Sequence, residues 1–581
     1  MAKLMTGNEA IARGAYEAGV KVGVGYPGTP STEILENFAK YPGIYAQWSP
    51  NEKVALEVGI GAALAGARTI VTMKHVGVNV AADPLLTLSY TGVNAALVLV
   101  SADDPGLHSS QNEQDNRYYG KLAKIPVIEP ADSEEARQYV KLACELSEQF
   151  DTPVILRTTT RIAHTHTLTE EEEPLALELK PYIKNPQKYV MVPGNAKLRH
   201  QVVEERRQKL LEYAENTPLN RMEEGMGEIG FITSGISYQY VKEAFPEAPV
   251  LKLGLTWPLP EKLIVKFAQK VKTLFVVEEL EPYLEEHLRA LGLKVVGKEI
   301  IPRTGELDHK IVKNAVLKYL GEEVADRSLE LNLPPRPPVM CPGCPHRPVF
   351  YTLNQLKLTV TGDIGCYTLG VMPPLSAIDT TVCMGAGIGM ALGLEKANPE
   401  FKGKTVAVIG DSTFLHSGIT PLIDMVYNGG TGTILILDNR TTAMTGHQPH
   451  PATGKTLMGN PAPQVDFAAL ARALGVKRVA VVDSFDLKKL KEVIAQEVAA
   501  AEVSVVIVQR ECALLPNQGK EPLRVIEDNC TGCKSCLKLG CPAIAFRDKK
   551  AYIDPLLCNG CGVCAQVCKF SAIVKGGDSH E

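Results

Sequence analysis

The sequence lacks the features that would place the protein in a membrane, outside the cell or on nucleic acid. No segment reaches the roughly 18 uninterrupted apolar residues of a membrane-spanning helix, and the N-terminal segment has neither the apolar core nor the small-residue cleavage site of a signal peptide. No run of lysine and arginine interleaved with aromatic residues offers a surface for phosphate groups, and the formal net charge is only -5. We therefore predict a cytoplasmic protein that binds neither membranes nor nucleic acid.

The composition is that of a globular protein with several domains. The 581 residues are 45% hydrophobic and 22% charged, and a chain of this length exceeds what one hydrophobic core usually organises. Eight of the 14 cysteines fall between positions 530 and 568, in spacings that bind metal clusters. We therefore expect reduced cysteines in a reducing compartment rather than disulfides.

Alternation of apolar strands with helical stretches predicts a multidomain α/β fold with parallel sheets. A proline-rich stretch at 331–340 predicts a boundary, because proline lacks the N–H donor of regular elements. The predicted order is an α/β domain over 1–182, a charged helical connector over 183–226, a second α/β domain over 227–330, a third over 331–518 and a cysteine-rich domain over 519–581.

The cysteine-rich segment contains two copies of the run that ligates [4Fe–4S] clusters. Each cluster needs four thiolates, and the fourth ligand is exchanged between the halves of two-cluster ferredoxins. We assign one cluster to Cys530, Cys533, Cys536 and Cys568, and the other to Cys541, Cys558, Cys561 and Cys564. Paired zinc sites are the alternative, since Cys-x2-Cys also forms zinc knuckles. The favoured interpretation is a module for single-electron transfer.

A metal and diphosphate site is predicted where two apolar strands of the third domain end. Gly410 ends the strand KTVAVIG and is followed by Asp411 and Ser412; 26 residues separate Ser412 from Asn439, which follows GTILILD. At the carboxyl ends of parallel strands, Asp411 and Asn439 can supply oxygen ligands to Mg²⁺, which bridges two phosphates of a cofactor. Taken singly, Asp411 is also compatible with a helix N-cap and Asn439 with a turn.

This pattern resembles the thiamine-diphosphate motif, with serine at 412 in place of the commoner glycine. The resemblance implies a further ligand, the backbone carbonyl of Thr441. Upstream, Gly385 and Gly387 precede a helix and can bring backbone N–H groups close to the diphosphate.

The resemblance to thiamine enzymes extends to the first domain. In SPNEKVALE, Glu52 stands at the start of a helix, where these enzymes place the glutamate that bonds the aminopyrimidine ring and activates the cofactor. Its simpler interpretation is an acid that complements the helix dipole. The loop YPGTPS is similar to one that lies over the cofactor in 2-oxoacid:ferredoxin oxidoreductases, which implies substrate contact by Thr29; a capped turn is the alternative. His108 and Arg117 are further candidates, the arginine for a substrate carboxylate.

A third cluster is one of two interpretations of the remaining cysteines. The resemblance implies a cluster beside the thiamine, held by a Cys-Pro-Gly-Cys start, a Gly-Cys loop and a late cysteine: Cys341, Cys344, Cys366 and Cys512. Isolated reduced thiols are the other interpretation, and Cys383 competes with Cys512 for the last position. His346 is compatible with a structural or an active-site role.

Together the motifs YPGTPSTEI, SPNEKVALE, CPGCPHR, GDSTF and the ferredoxin segment resemble the large subunit of the indolepyruvate:ferredoxin oxidoreductases. The resemblance implies two thiamine-diphosphate-binding domains, a transketolase C-terminal-like domain and a two-cluster ferredoxin domain. It also implies oxidative decarboxylation of an arylpyruvate with coenzyme A, electron transfer to ferredoxin and a smaller β subunit as partner. Another 2-oxoacid substrate, a non-oxidative thiamine decarboxylase and an electron-carrying scaffold remain as alternatives.

Overall fold

The computed structural model describes residues 2–324, 333–334, 336–515 and 521–576. The chain divides into two compact units, Met1–Glu330 and Leu331–Glu581. The predicted boundaries at 330/331 and 518/519, with part of the proline-rich stretch, lie outside the described residues. Within the described ranges, no helix is long and apolar enough to cross a membrane.

The first unit alternates strands and helices through most of its length. Its strands are β1 (Ala2–Thr6), β2 (Val22–Gly25), β3 (Tyr45–Trp48), β4 (Thr69–Lys74), β5 (Leu97–Asp103), β6 (Val127–Ile128), β7 (Val154–Thr159), β8 (His166–Glu170), β9 (Asn220–Glu223), β10 (Ile229–Ser234), β11 (Val250–Leu253), β12 (Leu255–Trp257) and β13 (Thr273–Val277). Its helices are α1 (Gly7–Glu17), α2 (Thr32–Phe38), α3 (Glu52–Leu64), α4 (His75–Val80), α5 (Ala82–Thr91), α6 (Arg117–Ala123), α7 (Ser133–Phe150), α8 (Thr160–His164), α9 (Pro186–Tyr189), α10 (Pro193–Asn216), α11 (Gly235–Ala244), α12 (Glu261–Ala268), α13 (Tyr283–Ala290) and α14 (His309–Tyr319).

A seven-stranded sheet in the order β12-β6-β7-β5-β4-β2-β3 forms the centre of the first unit. All neighbours are parallel except β12, which pairs antiparallel with β6. Every residue of β4, β5 and β7 is buried, as expected for parallel strands covered on both faces. The carboxyl ends of β2, β3, β4 and β5 therefore meet along one edge.

A second, four-stranded sheet in the order β13-β10-β11-β9 follows, and β1 pairs with β8 in a separate ribbon. Two strands differ from the domain boundaries predicted from sequence. β9 lies in the predicted connector but adds to this second sheet as its antiparallel edge, and β12 comes from the predicted second α/β domain but extends the first sheet. Both strands are short, and their pairing is fixed by distant partners rather than by local pattern.

The connector is dominated by helix α10, whose charged face is exposed as predicted but which also has a buried stripe. Val203, Leu210 and Ala214 are buried together with Arg206, whose Nη1 donates to the Ser89 carbonyl oxygen at 2.7 Å. The helix is therefore attached to the first domain rather than fully solvated.

The second unit contains a parallel sheet followed by the cysteine-rich segment. Its strands are β14 (Thr359–Thr361), β15 (Thr405–Gly410), β16 (Thr433–Asp438), β17 (Arg478–Asp483), β18 (Ser504–Gln509), β19 (Leu523–Val525), β20 (Ile544–Arg547), β21 (Lys550–Ile553) and β22 (Ile573–Lys575). Its helices are α15 (His346–Leu356), α16 (Ala386–Ala397), α17 (Asp411–Thr413), α18 (Ile419–Tyr427), α19 (Phe467–Ala473), α20 (Leu487–Ala499) and α21 (Val563–Val567), with 3₁₀ turns at Cys366–Val371, Pro399–Phe401, Ala443–Thr445 and Cys536–Leu539 and a π turn at Phe414–Gly418.

Five parallel strands in the order β14-β15-β16-β18-β17 make the sheet of the second unit. β15 and β16 are fully buried neighbours, so the residues that follow them emerge side by side at the carboxyl edge. In the cysteine-rich segment, β19 pairs with β22 and β20 pairs with β21, both antiparallel. The β19–β22 pair joins the start of that segment to its end.

Candidate cofactor and electron-transfer sites

Glu52 is a buried carboxylate at the carboxyl edge of the first sheet. It is the first residue of α3, which follows β3, and the Asn51 side chain caps the helix by accepting a hydrogen bond from the Val54 N–H at 2.9 Å. Glu52 is 5% exposed, and it packs against Gly77 in α4, where an added Cβ would lie 2.7 Å from Glu52 Oε1. The helix start favours a negative charge here, and a glycine at 77 gives the carboxylate its space.

The Thr29 loop lies at the same edge, after β2. Its backbone is held on both sides: Asn8 Nδ2 donates to the Pro30 carbonyl oxygen at 2.7 Å, and Ser31 Oγ donates to the Gly28 carbonyl oxygen at 2.8 Å. Ser109 Oγ donates to the Thr29 carbonyl oxygen at 3.4 Å. Thr29 is half-buried, so its side chain is presented on a fixed loop.

Lys74, which the sequence analysis did not single out, is a buried cation next to this loop. It ends β4, its Cβ lies 3.0 Å from where a Cβ on Gly28 would stand, and its Nζ donates to the Ser109 carbonyl oxygen at 2.6 Å. Burial lowers the pKa of Lys74 to about 8, opposed by Asp104, whose Oδ2 is 4.0 Å from Nζ. The sequence signal was available, because Lys74 follows five apolar or β-branched strand residues.

Arg117 and His108, the other two candidates of the first unit, differ from Glu52 and Thr29 in their surroundings. Arg117 is 1% exposed, and its guanidinium is engaged by Asp115 and Glu278. Its charge is therefore already paired inside the protein. His108 lies on the exposed part of its loop, with Nε2 3.5 Å from Glu306 Oε2.

In the second unit, Asp411 and Asn439 emerge from the neighbouring strands β15 and β16 and are both buried. Asp411 Oδ1 accepts from the Ser412 N–H at 2.8 Å, and Oδ2 accepts from the Arg440 N–H at 2.9 Å. Asn439 Oδ1 accepts from the Thr441 N–H at 3.2 Å. These contacts fix the two side-chain oxygens on one short edge, together with the backbone of Thr441.

This edge carries more buried polar atoms than the protein itself satisfies. Thr441 Oγ1 is buried without a hydrogen-bond partner, and His450 Nε2 is 3.2 Å from Asp411 Oδ2 but lacks hydrogen-bond geometry. Buried polar groups are nearly always bonded in a complete structure. A set of carboxylate, amide and carbonyl oxygens is the donor set that Mg²⁺ prefers, so the residues fit such an ion.

Gly385 immediately precedes α16, whereas Gly387, predicted to precede the helix, is its second residue; both are required by close backbone approach. Gly385 has φ +83°, and a Cβ there would lie 2.5 Å from Ser417 Cβ. A Cβ on Gly387 would lie 2.9 Å from the Gly362 carbonyl oxygen. Helix α16, which has twelve residues, can therefore present the N–H groups of its first turn to a phosphate.

Asp363 positions this turn and was not among the residues predicted from the sequence. It is fully buried, Oδ1 accepts from the Gly385 N–H at 2.8 Å, and Oδ2 accepts from Tyr367 OH at 2.9 Å. Burial raises the pKa of Asp363 to about 6. The sequence did contain a signal for Asp363: the Gly362–Asp363 pair just after β14 repeats the Gly410–Asp411 pair at the end of β15.

His346 belongs to the same region of the second unit. It begins α15, is 3% exposed, and places Nε2 3.4 Å from Asn439 Nδ2. Burial lowers the pKa of His346 to about 4, so the imidazole is neutral at pH 7. A neutral imidazole can accept a hydrogen bond from the Asn439 side-chain amide, which leaves the amide oxygen available as a metal ligand.

The tail cysteines line two separate cavities, and each cavity takes cysteines from both half-motifs. The first cavity is lined by Cys541, Cys558, Cys561 and Cys564. The second is lined by Cys530, Cys533, Cys536 and Cys568. Backbone N–H groups donate to sulfur at 3.4 Å in both, from Leu523 and Gly560 to Cys558, from Ala551 to Cys530 and from Ala572 to Cys568. Hydrogen bonds to thiolate sulfur are typical of iron–sulfur sites, so both cavities fit a cluster.

Cys341, Cys344, Cys366 and Cys512 form a third set. Burial raises the pKa of Cys344 to about 12, with the charges of Cys366 and Cys341 adding to the rise. Burial likewise raises the pKa of Cys366 to about 11, aided by Cys512 and Cys341. Cys383 is exposed, and Asp363 is the charge that adds to its raised pKa. Cys512, and not Cys383, is thus among the thiols whose charges act on Cys366.

Family models match three parts of the chain. Residues 13–221 match "Pyruvate flavodoxin/ferredoxin oxidoreductase, thiamine diP-bdg", residues 363–508 match "Thiamine pyrophosphate enzyme, C-terminal TPP binding domain", and residues 551–574 match "4Fe-4S binding domain". The fold and these matches define an oxidoreductase with thiamine-binding α/β domains and an iron–sulfur domain. They confirm the predicted fold class and enzyme class.

Relatives extend over nearly the whole chain. Indolepyruvate oxidoreductase subunit IorA of Archaeoglobus fulgidus is 43% identical over 98% of this chain and 97% of its own length. The proteins of the same name from Pyrococcus abyssi and Methanothermobacter marburgensis are each 42% identical, over 98% and 99% of this chain and 96% and 97% of their own lengths. The chain belongs to the indolepyruvate oxidoreductase subunit IorA family, as the sequence motifs predicted.

Proposed function

We propose that this chain is the catalytic subunit of an indolepyruvate:ferredoxin oxidoreductase. In this reaction an arylpyruvate, coenzyme A and two oxidised ferredoxins give an aryl-acetyl-CoA, CO₂, a proton and two reduced ferredoxins. The relatives' names support indolepyruvate as the substrate and a further subunit as partner, for which we propose the smaller β subunit. The 4Fe–4S domain supports a ferredoxin-type acceptor, because such domains transfer single electrons. We propose that the protein acts in the cytoplasm.

One observation carries this proposal. The edge formed by Asp411, Asn439 and Thr441, here called the oxygen edge, adjoins the third cysteine set within the second unit, and that set adjoins the first tail cavity. The Cys512 N–H donates to the Asn439 carbonyl oxygen at 3.0 Å, and Cys512 belongs to the third set. Cys344, of the same set, also lines the cavity of Cys541. A chain that only carried electrons would not need cysteines hydrogen-bonded to the oxygen edge, where the cofactor's diphosphate is proposed to bind.

The residues divide between holding the cofactor and handling protons. Bound thiamine diphosphate supplies the electron sink for decarboxylation. Asp411, Asn439 and the Thr441 carbonyl would hold Mg²⁺, and the N–H groups that begin α16 would bind the diphosphate. Glu52 would hold the proton at the pyrimidine ring, which is the role that a buried carboxylate at a helix start can perform.

For the cysteines we propose two [4Fe–4S] clusters in the tail cavities and a third held by Cys341, Cys344, Cys366 and Cys512. Within the described ranges, no three side chains of His, Cys, Asp or Glu converge closely enough for a single metal ion. Mononuclear zinc would need such convergence, whereas a cubane cluster separates its thiolates. The cysteine arrangement therefore favours clusters over zinc.

Double serine variants test the exchange of ligands between the tail half-motifs. We expect Cys530→Ser with Cys568→Ser to remove about four irons per chain, because both residues serve one cluster. We expect Cys558→Ser with Cys568→Ser to remove about eight, because these two serve different clusters. Anaerobic iron and sulfide analysis measures both variants. If each half-motif kept its own four cysteines, the two results would be interchanged.

We propose that the ammonium group of Lys74 binds the carboxylate of the 2-oxoacid substrate. We expect Lys74→Met to raise the KM for the 2-oxoacid about ten- to a hundredfold, since a hydrogen bond to a charged group contributes roughly 1.5–3 kcal/mol. We expect a much smaller effect on kcat. Steady-state kinetics with the partner subunit present measures both constants. Unchanged KM would remove Lys74 from substrate binding.

The lowered pKa of Lys74 also predicts a pH dependence. The ammonium form binds the carboxylate, so kcat/KM for the 2-oxoacid should fall as the pH rises through about 8. The groups that face Nζ are Asp104 and Ser109, and neither loses or gains charge in this window. Lys74→Arg stays charged throughout and should lose this limb of the profile. A limb that persists in Lys74→Arg would have another origin.

A comparison of substrates tests the proposed specificity. The reconstituted enzyme with ferredoxin should turn over indolepyruvate with a higher kcat/KM than phenylpyruvate, pyruvate or 2-oxoisovalerate. Pyruvate or 2-oxoisovalerate as the best substrate would overturn the arylpyruvate assignment while leaving the thiamine and cluster chemistry in place.

A further inference from the structure

Arg347 is a buried arginine that joins the start of the second unit to the cysteine-rich tail. It lies in the first turn of α15 and is 5% exposed. From the loop that contains Cys341, its guanidinium engages the Cys341 carbonyl oxygen, with Nε at 3.1 Å, and the Met340 carbonyl oxygen through Nη2. From the tail, Nη1 engages the carbonyl oxygens of Leu539, at 3.3 Å, and Gly540. One planar group therefore connects two segments that each lead into a cysteine set.

The same guanidinium lies between the two cysteine sets. Burial lowers the pKa of the Arg347 guanidinium, and the groups that oppose this shift are the thiols of Cys541, Cys344, Cys341 and Cys561, two from the first tail cavity and two from the third set. No carboxylate is among these strongest partners. Arg347 also lines the cavity of Cys541 directly.

A buried guanidinium without a carboxylate is costly unless another negative group lies next to it. The thiolates of a bound cluster would be such a group, and cysteines of both sets lie around Arg347. A fixed positive charge stabilises the reduced, more negative state of a cluster, and hydrogen bonds and nearby charge are established determinants of cluster potential. Arginine keeps this charge at every working pH.

Resting on the proposed function, we propose that Arg347 is the positioning residue of the electron route. It holds the loop Met340–Cys344 against the Gly540–Cys541 segment and raises the reduction potentials of the clusters on either side. With clusters bound, this position would favour electron transfer between the third set and the Cys541 set, whose segments Arg347 joins. Asn559 supports the same contact, because its Nδ2 donates to the Pro342 carbonyl oxygen at 3.4 Å and its side chain packs on Gly343.

The test compares Arg347→Gln, which removes the charge, with Arg347→Lys, which keeps the charge but cannot engage four carbonyl oxygens in one plane. Arg472→Gln is the control, because Arg472 is an exposed arginine on α19 of the same unit. Each protein is purified anaerobically with its partner subunit, analysed for iron and titrated with dithionite and mediators. Electron paramagnetic resonance then records cluster reduction and the spin coupling between clusters.

We expect Arg347→Gln to shift at least one cluster couple to more negative potential, by about tenfold in the reduction equilibrium or 59 mV for one electron. Its spin coupling should weaken. Arg347→Lys should keep the potentials of the unsubstituted protein but show the weakened coupling, and Arg472→Gln should change neither. This pattern separates the effect of charge from the effect of position.

Unchanged potentials in Arg347→Gln would overturn the proposal, and so would equal shifts in Arg347→Gln and Arg347→Lys, because a structural clamp alone predicts no dependence on charge. If Arg347→Gln does not retain iron, the lysine variant decides: unchanged potentials with weakened coupling support the proposal, and shifted potentials contradict it. Dithionite reduces clusters without thiamine or a 2-oxoacid. Unsubstituted protein without clusters would therefore refute the proposed function before any variant was compared.

Discussion

Glu52→Gln should leave thiamine diphosphate bound but slow substrate-dependent reduction of the clusters by about a hundredfold to ten-thousandfold. Proton transfer by a positioned side chain contributes about 10²–10⁴-fold to a rate, and the amide has the shape of the carboxylate without its basicity. The contact with Gly77 is compatible with either group, so the fold around α3 should persist. Stopped-flow absorbance of the clusters after mixing with indolepyruvate measures the rate.

Glu57→Gln is the matched control for this variant. Glu57 is on the same helix, but it is exposed and pairs with Lys53 on the surface. An exposed pair of this kind contributes little to stability, so the control should keep both cofactor binding and rate. Retained cluster reduction in Glu52→Gln would remove Glu52 from the mechanism.

The second large effect concerns cofactor affinity. Asp411→Ala should weaken thiamine diphosphate binding by more than about a hundredfold and abolish its dependence on Mg²⁺, because the carboxylate is the charged ligand of the proposed ion. Even groups that only support metal ligands change affinity by 10–100-fold. Calorimetric titration of the cofactor in the presence and absence of Mg²⁺ measures the change.

Asp424→Ala provides the comparison, because Asp424 lies exposed on α18 of the same unit, where its Oδ1 accepts a hydrogen bond from Asn428, the residue that follows this helix. Iron content should be unchanged in both aspartate variants, which shows that the unit remains folded. Magnesium-dependent cofactor binding that survives in Asp411→Ala would contradict the assignment of the oxygen edge and would favour the interpretation of Asp411 as a helix cap.

Local patterns predicted the parts of the fold whose residues are contiguous. The strands around KVGVG, TIVTMK, LVLVSAD, TVAVIG and TILILD are all present, because unbroken apolar runs bounded by turns are typical of buried parallel strands. Short strands were missed. β9 and β12 have only four and three residues, and their place is fixed by pairing with β11 and β6.

In the candidate site too, local patterns predicted some residues and missed those whose partners are distant in sequence. Strand ends predicted that Asp411 and Asn439 would emerge together, since β15 and β16 are neighbours. Lys74 and Asp363 had a local signal at or just after a strand end, but their roles and that of Arg347 depend on partners far along the chain that local pattern does not pair: Ser109 for Lys74, Gly385 for Asp363 and Gly540 for Arg347. A lysine or arginine is usually a surface residue, and only burial distinguishes these.

In the proposed function, carbon chemistry and electron transfer occur in one chain. Anaerobic addition of indolepyruvate and coenzyme A to the complex loaded with thiamine diphosphate and Mg²⁺, followed by visible absorbance, tests it most directly. We predict bleaching of the iron–sulfur absorption that is reversed by oxidised ferredoxin. Release of the corresponding aldehyde with no bleaching would contradict the claim and identify a non-oxidative decarboxylase.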